Sequence, residues 1–190
     1  YGIGHVRYPT AGGAGKEFAQ PMYVNSPYGN SLAHNGNLTN HKALANELFH
    51  AEMRHINTDS DSEVLLNIFA HELSKQREIY PKAEHIFKAV TKTHIRCEGA
   101  YAVIALITGH GILGFRDNNG IRPLCIGIRE GKTRKEYIMA SEDALFSSQG
   151  FEKLRDVEPG EAVFINKNGE LFSQQCSYMP LKSCLLYTAK

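Results

Sequence analysis

Three short segments bring together residue types that can bind and polarise a small polar molecule. The first is Gly4-His5-Val6-Arg7-Tyr8-Pro9-Thr10. It sends an arginine into a loop of small residues, 9–16, which includes Gly12, Gly13 and Gly15. A guanidinium can clamp a carboxylate through two parallel hydrogen bonds. A glycine-rich loop beside it can close over a ligand and exclude water. The second segment is Leu32-Ala33-His34-Asn35-Gly36-Asn37-Leu38-Thr39-Asn40. Its Asn35-Gly36 pair can set a side-chain amide beside a glycine N–H, two donors suited to the oxyanion of a tetrahedral intermediate. The third is Thr58-Asp59-Ser60-Asp61-Ser62-Glu63, in which Asp61 can pair with a ligand ammonium. Taken singly, each has a plain structural reading: an arginine on a surface turn, a tight Asn-Gly turn, and acids stabilised by the dipole at a helix start. A fourth segment, Arg116-Asp117-Asn118-Asn119-Gly120-Ile121-Arg122-Pro123-Leu124, reads as a structural turn between strands, across which Asp117 and Arg122 can pair.

The pattern around these segments predicts the elements that position them. Residues 22–34 read as two short strands around the turn Ser26-Pro27-Tyr28-Gly29-Asn30. Asn40 can cap a helix whose apolar positions are Leu44, Leu48 and Met53. Ser60-Asp61-Ser62-Glu63 has the form of a capping box, followed by the apolar stripe Val64, Leu65, Ile68, Phe69 and Leu73. Pro81 opens a third helix with Ala83, Ile86, Phe87 and Val90 on one side. Beyond it, residues 101–107 form an apolar run expected of a strand buried on both faces. Further strands are predicted over 111–116, 124–129, 136–140, 151–157 and 162–166, with a hairpin turn at Lys167-Asn168-Gly169-Glu170 and a short helix after Ser141. Clustered helices followed by a run of strands predict an α+β fold with antiparallel sheet, not a doubly wound parallel one.

Bulk properties narrow the function classes. The 190 residues suit one domain, and 42% hydrophobic with 22% charged residues is ordinary for a globular chain. A formal net charge of +1 gives no electrostatic case for a nucleic-acid or anionic-membrane partner. No apolar run approaches the roughly 20 residues of a membrane span. The four cysteines, Cys97, Cys125, Cys176 and Cys184, form no CxxC pair, and the nine histidines show no HExxH spacing, so no metal site is expected. Spread cysteines without a secretion signal point to reduced thiols and a cytoplasmic setting. The chain opens at Tyr1 without a Met or leader and ends without a closing turn signal. The expectation is a piece of a larger polypeptide.

Taken together and in order, the segments resemble the amino-terminal glutaminase domain of the glutamine phosphoribosylpyrophosphate amidotransferase (amidophosphoribosyltransferase) family. The stretches that carry the resemblance are GIGHVRYPT from Gly2, QPMYVNSPYG from Gln20, LAHNGNLTN from Leu32, HINTDSDSEVLLNIF from His55, FRDNNGIRPL from Phe115 and RDVEPGE from Arg155. They span nearly the whole chain. Related glutaminase domains, in glucosamine-6-phosphate synthase and asparagine synthetase, share the arginine and Asn-Gly elements. The resemblance implies a four-layer α/β/β/α sandwich of the N-terminal-nucleophile type. It implies that Arg7 and Asp61 hold the α-carboxylate and α-ammonium of L-glutamine, that Thr10 lies beside the carboxylate, and that Asn35 and Gly36 form the oxyanion hole. The parent activity would release ammonia from glutamine and transfer it to phosphoribosylpyrophosphate in the first step of purine synthesis.

Two departures qualify that expectation. The family's domain begins with a cysteine whose thiolate attacks the amide while its α-amino group handles the proton. Here position 1 is Tyr1, and none of the four cysteines stands at the catalytic position. Residues 1–190 are therefore expected to be a glutaminase domain lacking its opening segment, inactive alone. After Cys184 the family continues into a phosphoribosyltransferase domain that binds Mg²⁺, whereas Leu185 to Lys190 reads differently. That domain is expected to be absent here, with a homo-oligomer expected of the parent. Some family members carry an iron–sulfur cluster near the position of Cys184, but one cysteine cannot hold a cluster and none is assigned. The alternative reading is a non-catalytic module that keeps the pocket to sense glutamine or bind a partner.

Overall fold

The computed structural model describes residues 1–6 and 15–177. Arg7, Thr10 and Cys184 lie outside them. After a short 3₁₀ turn, Lys16–Phe18, come strands β1 (Met22–Val24) and β2 (Asn30–Leu38). Three helices follow: α1 (His41–Glu52), α2 (Asp61–Ser74) and α3 (Ala83–Arg96). The remainder is strand: β3 (Gly99–Ile107), β4 (Gly111–Arg116), β5 (Cys125–Glu130), β6 (Lys135–Ala140), β7 (Glu152–Asp156), β8 (Glu161–Asn166) and β9 (Leu171–Gln175). All pairings between them are antiparallel. One sheet has the order β1-β2-β3-β4-β8-β9, the other β6-β5-β7.

Strand alternation explains how the layers stack. In β3, Tyr101, Val103, Ala105 and Ile107 join the core under the helices, while Ala102 meets Leu124, Ile126 and Val163 between the two sheets. The first core is the larger. It takes in α2, which is buried nearly all round because α1, α3 and strands β1 and β2 pack against it. Phe69 of α2 and Phe115 of β4 meet with ring centroids 6.1 Å apart, and each buried ring contributes roughly 1.5–3 kcal/mol. Gly127 faces away from that inter-sheet core, and Phe146 packs over it. Phe146 leads into the 3₁₀ turn Ser147–Gln149, which takes the place of the short helix expected after Ser141. The fold is thus the expected α+β sandwich. Its outer helical layer is represented, among the described residues, only by that turn.

Several expected details change. The Asn35-Gly36 pair is not a turn but part of β2, which runs on to Leu38 and pairs with β3 through Leu38 and Gly99. Gly36 has φ +146°, and a Cβ there would stand 1.9 Å from the Ala100 carbonyl oxygen, so only glycine fits. Asn40 precedes α1, but its side chain does not cap it. It donates to the Arg96 carbonyl at 2.8 Å and accepts from the Glu98 N–H at 3.1 Å, tying α1 to the junction of α3 and β3. Asp117 and Arg122 form no side-chain pair. The fully buried Asp117 carboxylate instead accepts the backbone N–H groups of Tyr101, Asn119, Ile121 and Arg122. Those donors are nearer and need no exposed guanidinium to be desolvated.

Candidate functional site

The start of α2 is built by its own acids. Ser60 caps the helix by accepting the Ser62 N–H at 3.3 Å. Glu63 does not return the bond as a capping box would. Its carboxylate collects the N–H and side-chain amide of Asn57 (both 2.9 Å) and the N–H and hydroxyl of Thr58 (2.8 and 2.7 Å). Burial works to raise the Glu63 pKa, but these four bonds to the charged form outweigh it and the group titrates below its ordinary value. The result is a fixed loop, 57–60, that presents Asp61.

Asp61 is bonded to the sheet rather than to its own helix. Its Oδ2 accepts the Leu38 N–H at 3.0 Å, and its Oδ1 lies 3.9 Å from His34 Nδ1. Its side chain keeps 20% exposure. An ionised carboxylate has about four acceptor positions, so it retains capacity for a cation arriving from the solvent side. Below it lies a polar frame. The Ser62 hydroxyl meets His34 Nδ1 at 3.1 Å, and Gln20 bridges the two segments, accepting the His34 N–H at 2.6 Å and donating to Ser62 Oγ at 3.1 Å. Burial lowers the His34 pKa against the pull of the Asp61 charge, so the ring is neutral at pH 7.

His34 and Asn35 leave β2 on opposite faces, as successive strand residues must. His34 points to the helices, and Asn35 shares the inter-sheet face with its partner Ala102. The Asn35 Oδ1 atom meets His5 Nε2 at 2.8 Å. Asn35, Gly36 and Asp61 all line one cleft of about 880 Å³ at this end of the sandwich. Its floor includes Gln20, His34 and Ser62. Its rim carries His41, Lys42 and Phe49 of α1, with His55 and Arg122. The arrangement offers an anion for an ammonium group and an amide donor for a carbonyl or oxyanion, on separate rigid supports.

Three of the five site residues named from sequence therefore share the cleft, while Arg7 and Thr10 lie outside the described residues. The sequence reading passed over His5, Gln20, His34 and Ser62, which line the same cleft. All four sit inside the stretches that carried the resemblance, so the signal was present but had no role attached to it. The thiols of Cys97, Cys125 and Cys176 do not line the cleft. Burial pushes Cys97 up to about 12 and Cys176 up to about 11, and raises Cys125 as well, so none is a ready nucleophile. One cluster among the described residues, Glu52, His71 and Glu72, has ligand atoms close enough for a metal ion. Arg96 already bridges its two carboxylates, at 2.8 Å to Glu52 and 2.7 Å to Glu72.

The glutamine amidotransferase domain family matches residues 14–148. The chain belongs to that family. This amidotransferase domain is 56% identical over 179 residues to the amidophosphoribosyltransferase of Pseudomonas aeruginosa, a match covering 94% of the chain and 36% of that relative. Against the amidophosphoribosyltransferase of Escherichia coli it is 54% identical over 187 residues, 98% of the chain and 37% of the relative. The solved structure of glutamine phosphoribosylpyrophosphate amidotransferase from B. subtilis, complexed with ADP and GMP, superposes with a TM-score of 0.72 at 33% identity, covering 92% of this chain and 34% of that one. The amidotransferase domain thus spans about a third of the length of the relatives it matches. None of its described helices is long and apolar enough to cross a membrane.

Proposed function

We propose that this chain is the glutamine-binding part of an amidophosphoribosyltransferase, a larger protein that releases ammonia from glutamine and transfers it to phosphoribosylpyrophosphate at the start of purine synthesis. The carrying observation is the Asp61 carboxylate, held by the Leu38 N–H yet still open to the cleft that Asn35 and Gly36 also line. On this reading Asp61 takes the α-ammonium of glutamine and Arg7 its α-carboxylate, with Thr10 beside it. Asn35 and Gly36 stabilise the oxyanion that forms when the side-chain amide is attacked. The phosphoribosyltransferase portion and its Mg²⁺ belong to the rest of that larger protein, which is a homo-oligomer. The setting is the cytoplasm, in keeping with three buried, unpaired thiols. The reading carries with it that the 190-residue chain by itself binds glutamine without hydrolysing it; among the described residues, the three thiols are buried away from the cleft and supply no nucleophile.

The test uses the intact protein that contains this chain. Asp61→Asn and Arg7→Ala each remove one charged partner of the zwitterion, a loss of roughly 1.5–3 kcal/mol, which is about 10- to 100-fold in KM for glutamine. Activity with free ammonia as nitrogen donor stays unchanged. Equal loss with both donors would overturn the assignment. Ammonia release by the 190-residue chain alone would overturn its inactivity.

A further inference from the structure

We propose that His5 is a positioning residue for the amidotransferase chemistry: by holding the Asn35 carbonyl oxygen, it fixes the Asn35 amide with its NH₂ group turned to the developing oxyanion. The inference rests on the glutamine reading above and deepens it. A side-chain amide has two settings of nearly equal shape, related by a half-turn about its last bond. One offers the oxyanion two N–H donors and the other offers it an oxygen, which repels. Backbone pairing fixes the Asn35 Cα on β2, but it does not choose between these settings. His5 does. Its Nε2 stands 2.8 Å from Asn35 Oδ1. An amide oxygen only accepts, so in this setting the proton of the bond is on Nε2, and with the ring in that tautomer the reversed amide would set donor against donor.

The other nitrogen of the ring bears on which tautomer holds this bond. His5 Nδ1 is buried and has no hydrogen-bond partner among the described residues. A buried, unmatched polar atom costs roughly 1–3 kcal/mol. The other tautomer would put a buried N–H at that atom with no described acceptor, so Nδ1 does not compete with Nε2 for the proton.

The experiment uses the intact protein. In His5→Leu the donor is gone, and kcat for glutamine hydrolysis falls roughly 10- to 100-fold, less than or equal to the loss from removing an oxyanion donor outright. KM for glutamine and ammonia-dependent turnover stay within about two-fold, because neither uses the oxyanion contact. His5→Gln, whose terminal N–H reaches the place of Nε2, restores most of kcat, and the shorter His5→Asn does not. In an Asn35→Ala background, His5→Leu lowers kcat no further, since the effect runs through Asn35. Unchanged kcat in His5→Leu, failure of His5→Gln to outperform His5→Asn, or an added loss on top of Asn35→Ala would each overturn the proposal. Should His5→Leu not fold, the comparison of Gln with Asn decides. The underlying reading fails separately: Asn35→Ala would then leave glutamine hydrolysis intact, and the role of His5 falls with it.

Discussion

Glu63 offers the sharpest test of how the site is held. Its carboxylate oxygens divide four donors between them, Asn57 on one and Thr58 on the other. Glu63→Gln keeps the shape and removes the charge. The amide oxygen retains one pair of donors, and the NH₂ end is set against the other pair. Two bonds to a charged acceptor are lost, at about 1.5 kcal/mol each at the lower end of their range, so the variant is destabilised by about 3 kcal/mol at pH 7. Urea denaturation reads this as a lower midpoint with an unchanged slope. The pH dependence gives an independent check. The folded pKa is depressed, so the charged Glu63 contributes stability above the unfolded value of about 4.3 and loses it as pH falls through the lower folded value. The gap between wild type and variant is therefore full at pH 7 and closes in acid. A loss below about 1 kcal/mol at pH 7, or a gap that persists below the folded pKa, would refute the reasoning.

Two further outcomes concern the core behind the cleft. His94 is buried against the Tyr101 hydroxyl, 2.7 Å from Nδ1, and burial lowers its pKa to about 4. The neutral ring is favoured by folding, so its contribution is complete above about 6.5 and is lost as pH falls to about 4, a change of about 3 kcal/mol; thermal melts of wild type and His94→Gln should converge across that window, and parallel curves would contradict it. Arg96→Ala leaves the Glu52 and Glu72 carboxylates, with side chains only 9% and 5% exposed, without their shared cation, which predicts a loss of about 3 kcal/mol in urea unfolding. A loss within the range of an exposed pair, under about 1 kcal/mol, would show that those carboxylates are otherwise satisfied.

The sequence was legible where local rules act alone. Helical periodicity located α1, α2 and α3, and alternation or continuous apolar runs located the strands β3 to β8, because burial of one face requires those patterns; β9 was not predicted as a strand. It misled where tertiary partners displaced local ones. The Asn35-Gly36 pair reads as a turn, but pairing with β3 draws it into a strand. Ser60 and Glu63 have capping-box spacing, yet Asn57 and Thr58 claim the Glu63 carboxylate. Asp117 and Arg122 have complementary charge, yet backbone donors in the same turn outbid the guanidinium. For the site, type and order singled out Asn35, Gly36 and Asp61, which share the cleft. The groups behind them were not singled out, because Gln20, His34 and Ser62 come from a loop, a strand and a helix whose meeting is decided only by the fold.

The long pairing of β2 with β3 has a consequence for how the chain acquires its site. The two strands are neighbours in the sheet but are separated in sequence by all three helices. Their zippering is a non-local step of high contact order, and it must wait until the helical segment between them has closed into a loop. Asn35 and Gly36 take their places only when that step is complete. The cleft is therefore a late product of folding, and a ligand bound there would report on the cooperative native state rather than on any one segment of the chain.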